Sequence, residues 1–142
     1  MMNDRDIILP TSHSKPIGKY SPGISVSISG ASRLIFISGQ VSTDVHGHVL
    51  GLNDPEHQTE IVFQRINSIL SHAGARLSEL VSLVIYLVDR EHFSAVSEVR
   101  NRILQQPAPT STLVIVSQLA EKGCLVEISG IAVIRDSEGR LK

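Results

Sequence analysis

The stretch LVSLVIYLVD, residues 80–89, constrains the fold more than any other part of the chain. Only Ser82 and Asp89 interrupt it, and it shows neither the two-residue alternation of a half-wetted strand nor a helical stripe. A run of this length and composition suits a strand covered on both faces. Helical spacing flanks it. Ahead, Ile61, Ile66, Ile69, Leu70 and Ala73 recur every three or four residues between about His57 and Gly74. Asp54 is placed to cap that helix, and Gly74 to end it in a left-handed residue. Behind, Phe93, Val96, Val99, Ile103 and Leu104 mark a second helix over roughly 91–105. Two helices on either side of a buried strand require a sheet beneath them.

The remaining strands complete that sheet. ISVSISG (24–30) alternates strictly, with Ile24, Val26 and Ile28 on one side and serines on the other, which predicts a solvated serine face. RLIFISGQVS (33–42) forms a hairpin with it, a short strand is expected around Val49–Gly51, and 111–117 and 124–135 supply the last two. The predicted fold is α+β, in the order β-β-β-α-β-α-β-β, a mixed sheet with two helices on one face. Val84, Leu113 and Ile131 make the other face too apolar for water, and the chain has no third layer to cover it, so self-association is expected. The 142 residues fit one domain, with 1–15 a flexible or docking N-terminal arm.

Composition removes several classes of function. A formal net charge of −1, with basic residues scattered, gives no electrostatic footprint for nucleic acid or a membrane surface. The one cysteine, Cys124, has no internal disulfide partner, and MMNDRDIILP lacks the apolar core of a secretory signal, so the cytoplasm is the expected location. His46-Gly47-His48 has the look of a metal pair but no adjacent thiol and only Asp44 as a nearby carboxylate, too few ligands for a site.

Four blocks carry a resemblance. PIGKYSPG (16–23), FISGQV (36–41), HQTEIVFQRINSILSHAGARLSELVSLVIYLVDREHF (57–93) and VEISGIAV (126–133), in this order and spacing, resemble the RidA, or YjgF, family. The resemblance implies a chorismate-mutase-like subunit assembled as a homotrimer, with three clefts between neighbours. It further implies hydrolysis of 2-aminoacrylate and similar enamines or imines to 2-keto acids and ammonia, with no metal or cofactor. The partners it implies are a small-molecule substrate or ligand and further copies of the chain.

Site residues follow from the matching positions. Tyr20 matches a tyrosine bordering the family cleft, and Ser38 and Gly39 match a turn whose hydroxyl and backbone face the ligand. Glu127 stands out without any comparison, because Leu125, Val126, Ile128, Ile131 and Val133 surround it along one strand. An acid there must be paired, protonated or open to a wet cleft. It matches the family glutamate that orients or activates the attacking water; a salt bridge to a neighbouring subunit is the other reading. Alternation puts Ser129 on its face.

One departure is chemically large. Deaminases of the family carry an arginine at the start of the strand at 111–117, where its fork grips the substrate carboxylate. Here Pro109-Thr110-Ser111-Thr112 stands in its place. Ser111 takes the arginine position in one alignment register and Thr112 in the next. Losing the clamp costs about 2–5 kcal/mol of binding. Lys19 and Arg33 are the nearest cations by strand position, and Leu113 and Ile115 suggest an apolar cleft wall and a less anionic ligand. Arg65 also departs from the family, which often has asparagine there. Two functions stay open: an enamine/imine deaminase with altered substrate, or a non-catalytic trimeric module binding a small molecule or protein in the same clefts.

Overall fold

The computed structural model of the chain describes residues 5–16, 18–30 and 32–135. Six strands, β1 (Arg5–Ile8), β2 (Gly23–Ser29), β3 (Ser32–Gln40), β4 (Leu80–Leu87), β5 (Thr110–Ile115) and β6 (Val126–Ile134), form one sheet in the order β1-β2-β3-β6-β4-β5. Helices α1 (Pro55–His72) and α2 (Phe93–Ile103) connect β3 to β4 and β4 to β5. Only β4 and β5 pair in parallel, and α2 is the crossover that a parallel pair needs. The expected order of elements is the observed one, with a change of membership. The expected strand near Val49 is reduced to a single bridge between Thr43 and Val49, while part of the predicted arm, Arg5–Ile8, becomes the edge strand β1. Residues 1–4 of that arm lie outside the described residues.

Local chemistry sets the helix ends. Asp54 caps α1, its carboxylate accepting from the His57 amide at 3.0 Å, with Pro55 in the first turn where no donor is missed. Beyond the helix, Gly74 takes φ +80°, which a side chain would strain. No helix among the described residues is long and apolar enough to cross a membrane.

One hydrophobic core lies between the helices and the sheet. Val62, Phe63, Ile66, Ile69 and Leu70 of α1 and Val96 and Val99 of α2 pack on Ile35, Ile37, Leu83, Ile85, Leu87, Val126, Ile128 and Ala132. Phe93, expected on the same stripe, is instead 47% exposed at the start of α2. Gln58 is buried at the α1 N-terminus and donates to the Gly51 and Gly123 carbonyls at 3.1 and 3.0 Å while accepting from the Leu125 amide at 2.8 Å. It thereby fastens two loops to the helix.

The alternation in β2 is as expected, but its faces are reversed. Register places Ser25 opposite the buried Ile35, so the serines share the helix-side face. There Arg33 covers them, donating to the Ser25 and Ser27 hydroxyls and pairing with Asp6 at 2.7 Å. Ile24 and Val26 lie on the opposite face with Leu34, Phe36, Val84, Tyr86, Val114, Ile131 and Val133. No described element covers that face, where Phe36 and Val114 are exposed. Leu113 was expected on it as well. It pairs with Ile85 and packs against the core instead.

Candidate functional site

Glu127 sits on the helix-free face of β6, beside Tyr86 of β4, and Tyr86 in turn lies beside Val114 of β5. On its other flank the β3–β6 register slips between Ile37 and Gln40, so that β3 carries one residue more than β6. Such a bulge kinks the strand and frees its ladder locally. Gly39 occupies the bulge. A Cβ built at Gly39 would overlap Glu127 Oε2 and approach its Cδ to 2.7 Å, so glycine is what lets the carboxylate lie against the β3 backbone.

The carboxylate has no hydrogen-bond or ion-pair partner among the described residues, and burial pushes the Glu127 carboxyl above its ordinary range. A group in this state holds a proton more readily than a surface glutamate and gives it up to a base in contact.

Next to this contact a cavity of about 530 Å³ opens between the N-terminal segment, β3 and α1. Tyr20, Gly39, Gln40 and Arg65 are among its lining residues; Glu127 is not. Gly39 is therefore where the acid on the sheet face and the cavity meet. Arg65 of α1 donates from Nε to Gln40 Oε1 at 3.2 Å and from Nη1 to the Thr43 carbonyl at 2.8 Å, with Nη2 2.8 Å from His13 Nε2. Burial pushes the Arg65 guanidinium below its ordinary range, and no described carboxylate lies within 4.0 Å of it.

The residues singled out from the sequence divide between two faces. Tyr20 is exposed at the cavity, and Gly39 lines it. Ser38 spends its hydroxyl on the Pro22 carbonyl at 3.1 Å, binding β3 to the segment before β2. Thr112 pairs with Val84, which pairs with Ser129, so Thr112 shares the face of Glu127. Ser111 does not. It pairs with the buried Leu83 and accepts from Arg100 of α2 at 3.3 Å on the helix side, as Leu113 does its packing there. Of the two registers the sequence leaves open, the one at Thr112 puts a side chain on the acid's face. Arg33, offered as a replacement cation, is occupied by Asp6 and the β2 serines.

Elsewhere the chemistry is structural. Asp44 accepts from the His48 and His46 amides at 2.8 and 2.9 Å, which holds its carboxyl below the usual range and shapes the turn. No group of three metal-ligating side chains exists among the described residues. Burial pushes the Cys124 thiol up to about 11, leaving little thiolate. His13, Gln40 and Arg65 were not joined by sequence reasoning; the only signal was an arginine on a helix face otherwise turned to the core.

Known proteins match this architecture over nearly all of its length. The model of the Endoribonuclease L-PSP family matches residues 11–134. A RutC family protein of Pyrococcus abyssi is 33% identical over 128 residues, covering 90% of this chain and 96% of its own. Among solved structures, the Rid family protein YyfA of Yersinia pestis superimposes with a TM-score of 0.81 at 29% identity, over 92% of this chain and 99% of that one. RidA of an Antarctic Psychrobacter gives 0.78 at 29% identity, over 91% and 99%. The fold and these matches lead to one conclusion: the chain belongs to the Endoribonuclease L-PSP family, the group that includes RidA.

Proposed function

We propose that the protein hydrolyses reactive enamines or imines to a carbonyl compound and ammonia, as a homotrimer whose sites lie against the helix-free sheet face. The observation that carries this reading is the Glu127 carboxyl, unpaired, raised in pKa by burial and laid against Gly39 at the edge of the cavity. In its protonated form it gives a proton to the imine nitrogen. The resulting carboxylate takes a proton from water as the water oxygen bonds to the imine carbon. The carbinolamine then loses ammonia as its C–N bond breaks and the C=O bond forms. Imines are electrophilic enough that acid–base help of about 10²–10⁴-fold suffices. Assembly is supported by Ile24, Leu34, Phe36, Val84, Val114 and Ile131, an apolar surface that water covers poorly. Cleavage of RNA, suggested by the family's description, is not proposed, because a net charge of −1 offers phosphates no attraction.

Ammonia and carbonyl release from imines generated in situ tests the reading, with the native chain beside Glu127→Gln. Turnover that falls by about 10²-fold or more in the variant is expected. Equal rates in both, or none in either above the uncatalysed hydrolysis, overturn it. The second reading, a ligand-binding trimer without catalysis, is favoured by one feature, the hydroxyls of Ser111 and Thr112 where the family's deaminases carry a carboxylate-gripping arginine.

A further inference from the structure

On the helix-free face Glu127, Tyr86 and Val114 stand in one row across the sheet, and Ser129, Val84 and Thr112 in the next. Of the side chains that β3, β4, β5 and β6 present on this face, Glu127 is the only charged one. Arg5 of β1 shares the face through Val26, Leu34 and Val133. It lies six residues along and three strands across from Glu127, roughly 20 Å and about 14 Å away in the two directions. The arginines closer in the fold belong to the helix side. Arg33 is held there by Asp6 and the β2 serines, Arg65 by Gln40 and the Thr43 carbonyl, and Arg100 donates to Ser111.

This distribution sets the charge of what can react beside the acid. An uncharged imine that takes the Glu127 proton becomes an iminium next to a carboxylate, so the pair has no net charge before or after the transfer. An imine that carries its own carboxylate adds a second anion, and these four strands hold no cation to offset it. Two acids sharing one site oppose each other's ionisation. Copies of the chain closing over the face would exclude water and raise the cost of that unpaired charge further.

Tyr86 supplies the shape. It is the direct cross-strand partner of Glu127, which sets their Cβ atoms about 4.5–5.5 Å apart. The Glu127 side chain leans over β3 to rest on Gly39, on the flank away from β4. The carboxylate therefore does not fill the space beside the half-buried Tyr86 ring, and Val114 extends the apolar wall beyond it.

We propose that the site takes an uncharged imine with an alkyl or aryl substituent, and that Tyr86 is its specificity-determining residue, the wall against which that substituent lies. The proposal rests on the reading of Glu127 as the acid that meets the ligand. Tyr86 and Val114 favour the apolar substituent, while Glu127 without a neighbouring cation disfavours an anionic one.

Acetophenone and phenylglyoxylate, which differ by a methyl group against a carboxylate, serve as stable carbonyl probes. Titration of the intact chain with each at pH 8, followed by nitrogen–proton NMR, is expected to show acetophenone binding at least about tenfold more tightly. The Tyr86 and Gly39 amide resonances should move together. Tyr86→Ala is expected to weaken acetophenone about tenfold, and Tyr86→Phe, which keeps the ring, to retain it. Glu127→Gln narrows the gap by raising phenylglyoxylate severalfold, a readout that stands even if the Tyr86 variants do not fold. Equal binding of the two probes by the native chain, tighter binding of phenylglyoxylate, or acetophenone binding untouched by Tyr86→Ala overturns the proposal. Because binding is read without turnover, a chain that prefers acetophenone yet hydrolyses no imine would sink the catalytic reading alone. A chain that hydrolyses imines and prefers the anionic probe would sink only this one.

Discussion

The Cα of Gly39 is the surface against which the Glu127 side chain rests, and no residue with a Cβ fits between them. The two belong to neighbouring antiparallel strands, and the slip in register between Ile37 and Gln40 brings them together. Gly39→Ala is therefore expected to push the carboxylate off the β3 backbone while leaving the helix-side core, on the other face, intact. Imine hydrolysis should fall about 10²-fold with thermal unfolding shifted only slightly. Full activity in the alanine variant would show that the carboxylate works from some other position.

The raised pKa of Glu127 has a consequence for stability. The folded chain holds this proton to higher pH than the unfolded chain does, so its contribution is present in acid and lost as pH rises through the folded value. Glu127→Gln removes the ionisation. The variant is expected to unfold at higher temperature than the native chain at pH 8, with the gap closing as pH falls through the carboxylate range. A variant less stable than native at pH 8 and equal in acid would show that the carboxylate is favourably paired in solution.

Ser111 and Thr112 offer a paired test of which face matters. Thr112→Arg sets a guanidinium on the acid's side of β5, whereas Ser111→Arg sets one beside Arg100, against the helices. For a 2-imino acid, kcat/KM is expected to rise about tenfold or more in Thr112→Arg and to stay level or fall in Ser111→Arg. The reverse ranking would move the ligand to the helix side.

The apolar sheet face that no described element covers gives a prediction about assembly. Val114→Asp places a charge on that face, on the edge strand β5, where it does not disturb the core. Sedimentation at micromolar concentration is expected to give a trimer for the native chain and a smaller species for the variant. A monomeric native chain would remove the basis for shared sites.

Gln58 gives a prediction about stability alone. Gln58→Leu leaves the Gly51 and Gly123 carbonyls and the Leu125 amide without their partner. Gly123 is exposed and turns to water, whereas the groups of Gly51 and Leu125 are half-buried. A group left unsatisfied away from water costs about 1–3 kcal/mol, so denaturant unfolding should show a loss of at least about 2 kcal/mol. A loss below 1 kcal/mol would mean that water replaces the amide, roughly without cost.

Much of the fold was legible because period and end signals are local. The spacing of Ile61, Ile66 and Ile69, the cap at Asp54 and the stop at Gly74 each depend on residues within a few positions. The acid in VEISGIAV was legible too, since a charge among aliphatic residues on one strand demands an explanation wherever the strand lies. Less accessible was β1, where RDII is too short to show an alternation and is fixed by pairing with β2. The strand expected near Val49 failed for the opposite reason. It has one bridging partner, and the chain turns away through Gly51 towards α1.

The sequence by itself determined the order of elements, the two helices and the position of the lone acid, because backbone propensity and hydrophobic period act between near neighbours. Alternation divides a strand into two sides without saying which side the helices will cover. Only the tertiary structure decided that Ser25 lies inward under Arg33, that Ser111 and Thr112 serve opposite faces, and that Gly39 meets Glu127. It also decided that Arg65 meets Gln40 and His13, residues 25 and 52 positions away in the chain. Contacts at such separations are set by how strands register and helices pack, and no local pattern encodes them.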